Sequence, residues 1–377
     1  MARESGLDTR CVHAAHAPDP STGAIAEPIH LSTTFERDAD GGYARGYRYS
    51  REGTPNRAAL EACIAALEGG LGGVAFSSGL AANMALLELV DRGEQLLAPL
   101  QGYYGTLRQF REHARRRGAE LVLADFGDPA QVAQAVTPRT RLIWVETPAN
   151  PLLGITDLAR IAAIGREHGA RVVCDNTFAT PVCQRPFDFG VDLVVHSGTK
   201  YLGGHSDVLS GLVVVREDAA LLDALHDWQR LAGAALAPFD CWLLRRSIAT
   251  LALRVRTQCA SALRIATFLA GHPRVERVYY PGLPAHPGHA VAAAQMRGGF
   301  GAVISISVRG DAAAALALCG RTELITRATS LGGVESLIEH RASIEGPGTL
   351  APPNLLRLSI GIEDAEDLIA DLEQALG

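Results

Sequence analysis

The sequence predicts an α/β protein, with a mainly parallel central sheet wrapped by helices and a smaller α+β unit after it. Three observations carry this. From Asn56 to about residue 215, short apolar runs alternate with amphipathic helical runs. The apolar runs are hydrophobic throughout, not at every second residue, as expected for strands covered on both faces. At 377 residues the chain is also too long for one ordinary core. Its texture changes near residue 245, so the expected divisions are 1–55, 56–245 and 246–377.

The first fifty residues are rich in Pro, Gly, Thr and Asp with little periodicity, and read as an extended arm or lid-like segment. From Asn56, Leu60, Ile64 and Leu67 fall on one helical face, and Gly69-Gly70 supply a stop. "VAFSS" is then a strand, "LAANMALLELV" a helix, "EQLLAPL" a strand and "TLRQFREHARRRG" a helix. The alternation continues through "AELVLADF", "PAQVAQAV", "RLIWVET", "ITDLARIAAIGREHG" and "RVVCDNTF" to the strands "VDLVVHS" and "GLVVVRE". Beyond residue 245, long helical patterns lead to the strands "GAVISISV" and "LLRLSIGI". In the final helix, Leu368, Ile369, Leu372 and Leu376 share a face, and acidic residues load its N-terminus.

Bulk properties exclude several classes of partner. A net charge of −6 offers no positive field for nucleic acid or an anionic membrane surface. The only basic run, Arg115-Arg116-Arg117, closes a helical pattern, where cations suit the helix dipole. No apolar run reaches membrane-spanning length, and "MARESGLDTRCVH" has no apolar signal core. Seven scattered cysteines with no CxxC suit free thiols in a reducing compartment, so the cytoplasm is expected. His13 and His16, and His286 and His289, have a metal-like spacing but lack a carboxylate partner, so no metal is expected. Cys174 and Cys183 read as core residues.

Three stretches can carry chemistry. In "FSSGLAAN", Phe76–Asn83, a strand ends, Ser-Ser-Gly turns the chain and a helix begins. This is either an anion-binding helix N-terminus or a plain capped turn. In "VVCDNTFAT", Asp175 ends an apolar strand, where ligands bind in open α/β sheets; a capping role is the plainer reading. In "VVHSGTKYLGGHSDVLSG", Lys200 leaves an apolar strand for a small, hydroxyl-rich turn. A surface lysine is the commoner case, but a lysine desolvated there becomes nucleophilic. Occurring in this order on one sheet, the three match the needs of pyridoxal 5'-phosphate: a nest for the phosphate, a carboxylate for the pyridine nitrogen and a lysine for the aldehyde.

The motifs "YSREGTPN", "SSGLAAN", "ETPANP", "CDNTFATP", "HSGTKYLGGHSD", "SLGGVESLIEH" and "LLRLSIGIED" resemble, in order and over nearly the whole chain, the cysteine and methionine metabolism family of fold-type I pyridoxal-phosphate enzymes, the cystathionine synthases and lyases. The resemblance implies an aspartate-aminotransferase-like fold and assigns roles. Lys200 resembles the lysine that holds the cofactor as an internal aldimine and serves as the catalytic base. Asp175 resembles the partner of the pyridinium nitrogen, and Tyr103, beside Tyr104, the ring-stacking tyrosine that also assists Lys200 in catalysis. Ser78, Gly79, Leu80, Ser197 and Thr199 resemble phosphate-binding positions. Tyr49 and Arg51 resemble a pair that reaches the phosphate of a neighbouring subunit, implying a homotetramer built from dimers with shared sites. Arg357 resembles the arginine that holds a substrate α-carboxylate, with Asn150 and Ser330 as helpers, and Glu146 a carboxylate near the ring.

The implied substrates are small amino acids, and the implied chemistry lies at the γ-carbon of homoserine-derived or cystathionine-type compounds. β-Cleavage of cystathionine, methionine γ-cleavage, acylhomoserine sulfhydrylation and cofactor binding without turnover stay open. The chain departs from the family where Thr329 replaces a frequent Glu, and where "HRASIEGPG" puts Arg341 in place of a proline.

Overall fold

The computed structural model describes residues 5–346 and 349–377. Seven strands form the first sheet: β1 (Gly72–Phe76), β2 (Gln95–Pro99), β3 (Glu120–Ala124), β4 (Thr140–Glu146), β5 (Arg171–Asp175), β6 (Leu193–Ser197) and β7 (Gly211–Val215). Their order is β1-β7-β6-β5-β4-β2-β3. The block from β6 to β3 is parallel, whereas β7 runs antiparallel to both β6 and β1. An apolar run shows that both strand faces are covered but carries no direction, so sequence alone did not reveal this inversion. Neighbouring residues such as Val194 and Val195, or Val213 and Val214, enter separate core clusters on the two faces.

A second sheet comprises β8 (Val275–Tyr279), β9 (Val303–Val308), β10 (Thr326–Arg327), β11 (Leu337–His340) and β12 (Leu355–Ser359), in the order β10-β11-β12-β9-β8. The final helix, Ala365–Leu376, is capped by Asp364 and buries Leu368, Leu372 and Leu376. Its packing partners are the 21-residue helix Leu251–Gly271 and the helix Ala312–Arg321.

Two details differ from the sequence reading. The N-terminal segment contains a helix, Leu7–His13, too short to show periodicity, which buries Cys11. Arg245 ties down its end by donating to the carbonyls of Cys11, Val12 and Ala14. The boundary expected at 245/246 falls inside the helix Pro238–Ile248. No helix among the described residues is long and apolar enough to cross a membrane.

Candidate active site

The parallel strands place their carboxyl ends side by side, so side chains distant in sequence converge beyond them. β4 ends at Glu146, β5 at Asp175 and β6 at Ser197, with Glu146 paired in register to Asp175. A cavity of about 430 Å³ opens there. The second sheet closes it with the segment 329–331 and with Arg357 of β12.

One end of the cavity is built for an anion. Ser78 caps the helix Gly79–Leu87, its Oγ accepting from Ala81 N at 3.1 Å, so the first N–H groups of that helix face the site. Gly211 allows this turn to lie on β7. A Cβ there would sit 2.1 Å from the Ser78 carbonyl oxygen. Ser197 and Thr199 also line the cavity. Thr199 Oγ1 donates to Ser210 O at 3.2 Å, fixing the turn that delivers the next residue, Lys200.

Lys200 Nζ donates to Ser330 Oγ at 2.8 Å. Burial pulls its ammonium pKa down to about 8, with Arg357 adding to the shift and Glu339 opposing it. Gly332 makes the approach possible, since at φ +79° a Cβ would meet Tyr201 N at 2.6 Å and Lys200 C at 3.0 Å. Ser330 itself is held at φ 103°, a conformation sparsely populated by non-glycine residues. Arg357 is buried. Its Nη1 donates to Asn150 Oδ1 and its Nη2 to Ser330 O, both at 2.9 Å. Burial lowers its pKa to about 10, which still leaves it cationic at neutral pH.

At the other end, Glu146 accepts from the backbone N–H groups of Asn150 and Tyr103, each at 2.8 Å. Burial, and then the charge of Asp175, push its pKa up to about 8, so Glu146 holds the proton of this carboxylate pair. Asp175 accepts from Thr177 N at 3.0 Å. It has no ion pair among the described residues, so a carboxylate at the cavity floor faces the site without a cation. The Tyr103 and Tyr104 rings pack edge to face at 5.1 Å, and both line the cavity.

Of the residues singled out from sequence, Ser78, Gly79, Leu80, Tyr103, Glu146, Asn150, Asp175, Ser197, Thr199, Lys200, Ser330 and Arg357 all line this one cavity. Tyr49 and Arg51 do not. They lie exposed, with Arg51 Cζ 5.6 Å from the Tyr49 ring centroid and Arg51 Nη1 donating to Arg230 O at 3.2 Å. His340 points elsewhere, its Nε2 2.7 Å from Pro353 O.

Sequence reasoning missed Asn83, Thr106, Thr177 and Glu339. Asn83 was legible as the residue one helical turn after Gly79, and its Nδ2 donates to Thr106 Oγ1 at 3.0 Å. Glu339 gave no local signal, because its place beside Arg357 comes from the pairing of β11 with β12. The half-buried Asp175 without an ion-pair partner among the described residues, the anion end and the desolvated Lys200 together fit pyridoxal phosphate.

The family model for the "Cys/Met metabolism PLP-dependent enzyme" matches residues 8–377. The cystathionine gamma-synthase of Mycobacterium tuberculosis is 48% identical over 99% of this chain and 97% of its own. The cystathionine beta-lyase of Coxiella burnetii is 45% identical over 99% and 98%. Among solved structures, cystathionine gamma synthase from Xanthomonas oryzae pv. oryzae in complex with cystathionine superposes with a TM-score of 0.95 at 43% identity, covering 99% of this chain and 98% of that one.

Proposed function

The chain belongs to the Cys/Met metabolism family of PLP-dependent enzymes, and from that premise we propose that it acts at the γ-carbon of homoserine-derived or cystathionine-type amino acids, as a cystathionine γ-synthase or γ-lyase. The observation that carries the reading is Lys200 Nζ held on Ser330 Oγ in the cavity that Arg357 also lines. γ-Chemistry requires protons to be moved at two neighbouring carbons, and a single mobile amine of lowered pKa can serve both. The "SLGGVESLIEH" block supports γ over β, whereas relatives named for each activity match over nearly the whole chain.

When bound, pyridoxal phosphate supplies an electron sink that lets the carbon beside the substrate amine lose its proton. Lys200 would hold the aldehyde, and Asp175 would keep the pyridine nitrogen protonated. The N–H groups at Ser78, Gly79 and Leu80, with the Ser197 and Thr199 hydroxyls, would take the phosphate. Tyr103, on the wall of the same cavity as Lys200, would offer its face to the ring. Arg357, steadied by Asn150, binds the substrate α-carboxylate and fixes which bond faces the Lys200 amine. Lys200 then takes the α-proton and redelivers it. Glu146, carrying a proton, adds no second negative charge beside Asp175.

Tyr49 and Arg51 of a second copy would complete the phosphate end, which gives a homotetramer of dimers a catalytic reason. Seven buried, unpaired thiols support a reducing compartment such as the cytoplasm.

The test is product analysis of the holoenzyme given cystathionine alone, by mass spectrometry. Cysteine, 2-oxobutanoate and ammonia are expected. Homocysteine with pyruvate means β-cleavage and overturns the γ reading.

A further inference from the structure

Arg341 is a buried guanidinium in the cavity wall that the chemistry above does not use. Its Nη1 donates to Glu339 Oε1 and its Nη2 to Glu345 Oε1, both at 2.6 Å. The same Glu339 Oε1 is also paired with Arg357. One carboxylate oxygen thus lies between the arginine that meets the α-carboxylate and a second arginine. Only two of the five N–H groups of Arg341 are bonded, and its Nε is buried with no partner.

A guanidinium serving only as a latch for the short helix Arg341–Glu345 would have no need to face the cavity. This one does, with its Cζ 5.9 Å from the Tyr104 ring centroid. At this end the cavity wall presents Lys200, Arg341 and Arg357, while Glu339 and Glu345 stand behind the arginines and Thr329 is neutral. The α-carboxylate of an amino acid satisfies Arg357, whereas Arg341 beside it keeps N–H groups that Glu339 and Glu345 do not bond. Desolvating a cation of this kind is repaid best by an anion with matching planar geometry.

We propose that Arg341 is a specificity-determining residue that binds a second carboxylate, carried on the distal part of the substrate, so that the site selects amino acids ending in an acid over neutral analogues of equal length. This rests on the γ-substrate reading above and narrows it to dicarboxylic substrates, such as cystathionine-type thioethers and half-esters of dicarboxylic acids.

The test uses holoenzyme and two ligands with no leaving group, L-2-aminosuberate and L-2-aminooctanoate, which differ only in a terminal carboxylate or methyl. Binding is read from the change in the cofactor's visible absorbance. The wild-type protein is expected to bind the diacid more tightly by roughly ten- to a hundredfold. Arg341→Met should remove that preference while changing affinity for the neutral ligand less than about threefold, and Arg341→Lys should retain part of it. No preference in the wild type, which requires no variant to fold, overturns the proposal, as does an equal loss for both ligands in R341M. Turnover is measured separately with O-succinyl- and O-butyryl-L-homoserine. If neither these esters nor cystathionine yields 2-oxobutanoate, the γ reading falls while the ligand preference still decides the role of Arg341.

Discussion

Lys200 and Ser330 are 130 positions apart, yet the lysine Nζ rests 2.8 Å from the serine Oγ. The contact joins the turn after β6 to the segment before β11. It is held at Ser330 in a left-handed backbone conformation that costs about 1–3 kcal/mol. Function and stability therefore pull in opposite directions at this position. Ser330→Gly should raise the melting temperature by roughly 1–3 °C, because glycine accepts the positive φ. It should also lower kcat/KM about tenfold through loss of the hydroxyl. A calorimetric scan and an activity assay on the same preparation check both signs, and a lower melting temperature would remove strain from the account.

The lowered pKa of Lys200 gives a pH dependence with a definite sign. The amine reacts with an aldehyde only when unprotonated. Since burial brings its pKa down from 10.5 to about 8, its reactivity should climb as pH rises through about 8, and not through 10.5. At pH 7 roughly a tenth of the amines are free, against well under a thousandth for an ordinary lysine. Recombination of apo-protein with pyridoxal phosphate, followed by absorbance between pH 6 and 10, should show this midpoint. A rate still rising steeply above pH 9.5 would mean that the amine is not desolvated.

What was legible in the sequence follows from where the signals lie. Asp175 ends a strand, Ser78 and Gly79 open a helix and Lys200 lies in the turn just after a strand, so local pattern revealed them. Periodicity likewise revealed the helix Pro55–Glu68, and the apolar runs revealed the strands after it. The antiparallel β7 was hidden because burial on two faces reads alike in either direction. Glu339 was hidden because its meaning arises from a partner strand, where it pairs in register with Arg357. Arg341 stood out in the sequence only as a departure from the family pattern. Its shared hold on Glu339 exists only in three dimensions.

Asp175 and Glu146 differ in what they do with one proton, although they are register neighbours. Glu146 is pushed up to about 8 and stays neutral at pH 7, which leaves Asp175 as the carboxylate for a cationic ring nitrogen. Asp175→Asn keeps the shape and removes the charge. It should retain the cofactor but lower kcat by roughly a hundred- to a thousandfold, the scale seen when one preorganised electrostatic group is removed. Glu146→Gln should cost far less, since the group it replaces is already uncharged. Equal losses in the two variants would reverse the assignment of the proton.

Arg51 and Lys200 provide the sharpest test of a shared site. Arg51 lies outside the cavity of its own chain, bonded to Arg230 O, on a segment with Tyr49 40% exposed. If it serves the phosphate of a second copy, Arg51→Ala and Lys200→Ala should each be nearly inactive alone, for different reasons. A mixed dimer then regains one intact site, with Lys200 from the R51A chain and Arg51 from the K200A chain. Its other site carries both lesions. Random reassociation makes half of the dimers mixed, so about a quarter of the wild-type sites should return. The measurement is activity after the two variants are unfolded together and refolded, against each variant refolded alone. Recovery near a quarter requires that the two residues act across a subunit boundary. No recovery, with oligomers formed normally, would place Arg51 outside the site altogether and leave the phosphate to the N–H groups and hydroxyls of one chain.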